Sequence, residues 1–188
     1  MFLARLTRLA VVSSTAVLAA CASVSAGADF DPAIRLDQYH SFDWGAGDTM
    51  PAGDVRLDNN PFFDSRVRAA VELEMAAKGV QRRTTSPDLL VHYHVSVRQR
   101  VDVVRTDEAR GYTDPWMRQG STVVEFDEGT LLLDVADART KKIVWRGWSQ
   151  TDVTGLLDNP REMEKRVSES IRRMLSRYPQ AGPAGAQP

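Results

Sequence analysis

From Leu89 onward the chain alternates. Leu89, Val91, Tyr93, Val95, Val97, Val101 and Val103 fall on one side of a two-residue period, and His92, His94, Ser96, Arg98 and Arg100 fall on the other. Successive side chains of a strand point to opposite faces, so the pattern predicts a long strand with one face buried and one wet. Its backbone needs neighbours, and its apolar face needs a covering layer. Three further apolar segments, residues 123–126, 129–135 and 143–153, are separated by Asp127-Glu128-Gly129 and by Asp137-Ala138-Arg139-Thr140, both of turn chemistry. With the long strand they read as an antiparallel meander. An earlier strand is expected over residues 36–44, ended by Gly45.

Two helices can supply the covering layer. Asn60 can cap a helix with Pro61 in its first position, and Phe63, Val67, Ala70, Val71 and Met75 form a stripe at three- and four-residue spacing before Lys78-Gly79 closes it. Asn159-Pro160-Arg161-Glu162 resembles a capping box, followed by the stripe Met163, Val167, Ile171, Met174, Leu175 and Tyr178, which Pro179 stops. The expected fold is α+β: an antiparallel β-sheet in the order β-α-β-β-β-β-α, with both helices packed on one face. Trp145 and Trp148 fall on opposite faces of their strand, so a regular pleat buries at most one of them under the helices. Gly147 between them marks a bulge or a close backbone approach, and Arg146 and Asp134 can pair across strands.

The N-terminus carries an address. Residues 1–20 hold Arg5 and Arg8, no acid, and an apolar run ending in Ala19-Ala20, which reads as a signal peptide. The run is too short to span a bilayer, whose hydrocarbon core is ~30 Å thick. Leu18-Ala19-Ala20-Cys21 holds the chain's only cysteine and resembles a bacterial lipobox. That resemblance implies cleavage before Cys21 and acylation of its thiol and new amino group. Ala22, rather than Asp, implies by likeness to Gram-negative lipoproteins sorting to the outer membrane, and the expected location is its periplasmic face. Residues 21–33 are expected to be a lipidated tether, 34–179 the folded domain, and 180–188 a disordered tail rich in Pro, Gly and Ala.

Charge narrows the function. The chain balances 24 basic against 25 acidic residues, a formal charge of -1, which gives no basic footprint for nucleic acid. A single cysteine permits neither an internal disulfide nor a cysteine zinc cluster. There is no Gly-x-Ser-x-Gly elbow, no dinucleotide fingerprint and no phosphate-binding loop, so neither ATP nor an enzymatic role is expected. No cofactor is expected beyond covalent lipid on Cys21. His92 and His94 share one strand face about 6.5 Å apart and could begin a metal site. His40 or Asp88 would have to supply a third ligand, and a solvent-facing strand needs polar residues at the same positions. The connection from Arg105 to Ser121 carries Tyr112, Trp116 and Met117 among charges and glycines, side-chain types enriched where partners bind. Trp116 folded back onto the core is the alternative.

Several blocks together resemble a known family: Tyr39-His40-Ser41-Phe42-Asp43-Trp44, Pro87-Asp88-Leu89-Leu90-Val91-His92-Tyr93, Gly129-Thr130-Leu131 with Asp134 and Asp137, and Val144-Trp145-Arg146-Gly147. Their order over most of residues 29–179 is similar to that of DUF4136, a domain-of-unknown-function family. The resemblance implies an envelope lipoprotein and brings no activity with it. The expectation is a lipid-anchored envelope protein of unknown specific role, acting as a periplasmic binding or structural module with an envelope protein as partner. A carrier of a small ligand or metal is the alternative, and a hydrolase with an unseen site is a third reading.

Overall fold

The computed structural model describes residues 24–46, 51–105 and 121–182. In chain order they form β1 (Ser25–Phe30), a 3-10 turn (Leu36–Gln38), β2 (Ser41–Trp44), α1 (Pro61–Ala77), β3 (Gln81–Arg82), β4 (Leu89–Arg105), β5 (Ser121–Asp137), β6 (Ile143–Asp152) and α2 (Pro160–Leu175). The six strands make one sheet in the order β1-β6-β5-β4-β2-β3. The fold is α+β, with the sheet mixed rather than wholly antiparallel: β1, β6, β5 and β4 pair antiparallel, while β2 lies parallel to both β4 and β3. The cause is α1, which crosses between β2 and β3 and returns the chain to the end from which β2 started. Among the described residues no helix is long and apolar enough to cross a membrane.

The caps form as the sequence predicts. Asn60 Oδ1 accepts from the N–H groups of Phe62 and Phe63 at 2.9 and 3.1 Å, and Asn159 Oδ1 accepts from Glu162 N–H at 3.3 Å. The capping box is only half made, because Glu162 takes Lys165 at 2.7 Å instead. Both expected stripes are buried, and with Leu89, Val91, Leu133, Val135 and Trp145 they build the core. A bulge at Val135/Ala136 lets both Val144 and Trp145 turn inward. Trp145 is buried and Trp148 half exposed, and Arg146 grips Asp134 with two 2.6 Å hydrogen bonds.

Four local readings change. Residues 36–44 are a 3-10 turn and a short strand, since Leu36 and Tyr39, three apart, both turn toward the core. Residues 121–137 form one strand rather than two: Asp127-Glu128-Gly129 stays extended because Glu128 pairs with Arg100 at 2.7 Å and Asp127 O accepts from Val153 N–H at 2.8 Å. Residues 25–30, expected within a tether, form the edge strand β1. Their small side chains suit the place: a Cβ on Gly27 would stand 2.3 Å from Trp148 Cζ2, and Ala26 and Ala28 pack against the core. At the other terminus, residues 180–182 dock rather than trail. Ala181 N–H donates to Lys78 O at 2.8 Å, closing the C-terminus of α1, and Gly182 N–H donates to Asp37 O in the 3-10 turn at 2.7 Å.

Candidate functional site

β2 is paired with β4 as far as Trp44 and Val91, and Gly45 N–H still donates to Val91 O at 2.9 Å. Among the described residues, the next backbone hydrogen bond between this part of the chain and β4 is the one that Val97 N–H donates to Ala52 O at 2.7 Å. Between these points a cavity of about 510 Å³ opens against the first turns of α1. That volume lies within the ~300–1,000 Å³ usual for small-molecule sites. Because the opening sits at a break in the sheet edge, its wall draws on both faces of β4, including Val91, His92, Tyr93, His94 and Val95.

One side of the cleft is a connected set of polar and aromatic side chains. Asp64 in the first turn of α1 accepts from Tyr93 Oη–H at 2.9 Å through Oδ1 and from Arg68 Nε–H at 2.7 Å through Oδ2. The Arg68 guanidinium lies 4.5 Å from the Trp44 ring centroid, close enough for a cation-π contact. Trp44 meets Tyr93 edge to face at 6.4 Å and donates from Nε1 to Glu72 at 3.0 Å, while Arg82 reaches Glu72 at 3.3 Å. Each donor and acceptor orients the next, so the wall is pre-ordered. Asp58 holds the near rim by accepting from Ala52 N–H at 2.6 Å.

His92 and His94 both line this cleft. The His92 ring covers Gly45, where a Cβ would come within 1.8 Å of Cε1, and its Nδ1 lies 3.1 Å from Ala46 O. Asp88, considered as a third metal ligand, is engaged elsewhere. Its Oδ2 accepts from His40 N–H at 3.1 Å and from Ser41 N–H and Oγ–H at 2.9 and 2.7 Å, tying the start of β2 to the start of β4. Burial pushes the Asp88 carboxyl up, but the bonds from Ser41 Oγ and the two amides outweigh it and hold the group below the usual carboxylate range. Among the described residues no three His, Cys, Asp or Glu side chains converge as metal ligands. Cys21, Tyr112, Trp116 and Met117 lie outside the described residues. Trp44, Asp64, Arg68 and Tyr93 are not marked by the sequence as site residues. The Asp64/Arg68 spacing of four on a helix is the one available signal.

The family described as "Domain of unknown function (DUF4136)" matches residues 27–180. Among solved structures, the chain is similar in fold to a PDZ domain protein from Parabacteroides distasonis, with TM-score 0.53 and 12% identity over 85% of this chain. It spans 36% of the length of that protein. A PelC dodecamer from Paraburkholderia phytofirmans gives TM-score 0.46 at 11% identity, covering 85% of this chain and 99% of the other. A DUF4136 family protein from Bacteroides thetaiotaomicron gives TM-score 0.40 at 14% identity, covering 80% and 95%. No curated protein matches.

Proposed function

Taking as premise that this chain belongs to the DUF4136 family, whose function is unknown, we propose that it is a lipid-anchored envelope protein that works by binding rather than catalysis. One observation carries the binding role: the cleft wall of Trp44, Tyr93, Asp64 and Arg68 is built of groups that hold one another in place. Such a wall suits holding a partner or ligand, because little side-chain freedom is lost on contact. The address rests on the lipobox ending at Cys21 and on the position of β1, which begins four residues later. Two or three acyl chains would hold the domain at a membrane, each buried CH₂ contributing about 0.8 kcal/mol. The outer membrane, periplasmic face, is the proposed location.

The test is crosslinking and pull-down from native envelopes with wild type, Trp44→Ala and Trp116→Ala at equal abundance. A stoichiometric envelope partner lost with Trp44→Ala supports the cleft as the contact, and loss with Trp116→Ala alone moves the contact to the 105–121 connection. A partner retained by both variants overturns the cleft as the contact, and no partner at all overturns the binding-module reading. The second reading, a small-ligand carrier, is favoured by the cavity of about 510 Å³. Native mass spectrometry of protein released gently from envelopes would then show a bound small molecule.

A further inference from the structure

The register brings the start of β1 and the far end of β4 and β5 to the same end of the sheet. Ser25 pairs with Gln150, Gln150 with Thr130, and Thr130 with Ser96. β1 runs in the same direction as β5, so the backbone preceding Ser25 enters from the side on which Ser121 lies. β6 ends where Asp152 pairs with Glu128, whereas β4 and β5 stay paired out to Arg105 and Ser121. Residues 99–105 and 121–127 therefore form a two-stranded ribbon that projects beyond the other strands. Such ribbons are only marginally stable alone in water.

Chain geometry then sets a limit. Cys21 is four residues from Ser25, and four fully extended residues reach about 14 Å at most. From the level of Ser25, the ribbon runs nine residues, from Thr130 to Ser121, or about 30 Å. Along the strand axis its paired end passes the furthest position open to Cys21 by roughly 15 Å. A membrane that holds Cys21 is thus nearer than the end of the ribbon.

The surface at this end agrees. Val101 on the ribbon is 57% exposed, Phe62 at the start of α1 is 71% exposed, and Val55 in the preceding turn is 86% exposed. The two last belong to this end because Ala52 is bonded to Val97, and Leu57 and Phe63 line one small cavity with Val97 and Gly129. Beside them Arg100 pairs with Glu128 at 2.7 Å, Arg56 pairs with Asp54 and Asp158 at 2.7 and 2.8 Å, and Glu125 stands exposed across from Val101. Apolar projections among such mixed charges suit a lipid-water interface.

We infer that the β4/β5 ribbon, together with Val55 and Phe62, is a membrane-contact surface that lies against the lipid layer holding Cys21. This rests on the lipid-anchor reading above. The domain is then oriented on the membrane, with the ribbon in the interface and the C-terminal half of α1 turned away from it.

The test uses the full chain produced with its own leader, carrying Val101→Cys, Phe62→Cys or Leu73→Cys. Cys21 is the only native cysteine, and Leu73 is a matched control, 70% exposed on α1 and about 16 Å further along it than Phe62. The intact mass reports whether Cys21 is acylated. Each variant is then labelled with an environment-sensitive fluorophore and reconstituted in phosphatidylcholine vesicles containing a spin-labelled lipid quencher. Labels at 101 and 62 should shift to the blue and lose at least half their emission to the quencher, with the label at 73 unchanged. An acylated protein whose three labels are quenched alike overturns the inference while leaving the anchor standing. A chain with no acyl group on Cys21 overturns the anchor and the inference with it.

Discussion

Gly147 lies beneath the ring of Trp145, two residues earlier on the same face of β6, and a Cβ at position 147 would stand 2.3 Å from Trp145 Cη2. Trp145 is fully buried and meets Tyr178 edge to face at 5.6 Å, so the ring has nowhere to retreat without disturbing α2. Gly147→Ala should therefore destabilise the domain by about 2–3 kcal/mol, a cost of overpacking rather than of lost flexibility. Urea unfolding followed by Trp fluorescence would measure it, and an unchanged midpoint would show that the ring can move.

Tyr178 offers a change of the opposite sign. Its hydroxyl and the Trp145 indole N–H are buried with no hydrogen-bond partner among the described residues, and burial pushes the Tyr178 hydroxyl pKa far up. A buried polar group left unpaired costs about 1–3 kcal/mol. Tyr178→Phe should accordingly raise stability by about 1 kcal/mol, or leave it unchanged, while Tyr178→Ala should cost about 3–5 kcal/mol by opening a cavity. Calorimetry of the two variants checks both signs.

Asp88 makes stability depend on pH. Its folded pKa lies below the unfolded value of about 3.9, so its contribution is fully present above that value and is lost as pH falls through the folded pKa. Asp88→Asn should lower stability at neutral pH by about 1–2 kcal/mol and flatten the acid limb of the stability curve below about pH 4. Urea midpoints measured across that range would show both effects. Part of the limb should survive. Asp137, which accepts from Thr140 N–H at 2.6 Å and Tyr39 Oη–H at 3.0 Å, is held low in the same way, most strongly by the Thr140 amide.

In the cleft, stability and recognition should separate. The Asp64/Arg68 pair is partly exposed at spacing four on α1, an arrangement that contributes about 0.3–0.5 kcal/mol. Arg68→Ala should leave the thermal midpoint within about 2 °C while removing the cation from the Trp44 face and weakening capture of whatever occupies the cleft by about tenfold or more. Tyr93→Phe should act less strongly on capture, since the ring remains. Titration with the captured partner, beside a melting curve for each variant, tests the separation.

Much of this fold is legible one residue at a time. β4 and both helices are periodic over many residues, and the two asparagine caps sit where the stripes begin. Arg146 and Asp134 are paired as the alternation allows, because register across adjacent strands follows from the pleat. β1 escapes such reading. Its alternation is faint, Ala26, Ala28 and Phe30 against Ser25, Gly27 and Asp29, and its place is decided by Trp148 and α2, which lie far along the chain. The cleft escapes it for a related reason: Trp44, Asp64 and Tyr93 come from three elements, and only the parallel pairing of β2 with β4 brings them together. That the His92 ring covers Gly45 is equally hidden, because a histidine on a polar face and a histidine covering a glycine look the same in sequence.

The pairing of β1 with β6 also sets a timetable. Ser25 meets Gln150, so the first strand to leave the ribosome waits for nearly the last. At about 5–20 residues per second that wait lasts roughly 6–25 seconds, during which an unpaired strand could recruit the wrong neighbour. Ser-Ala-Gly-Ala-Asp-Phe is a poor candidate for that accident, with little apolar surface, one acid and a glycine at its centre. The blandness that disguises β1 as a tether thus protects it until its partner strand arrives.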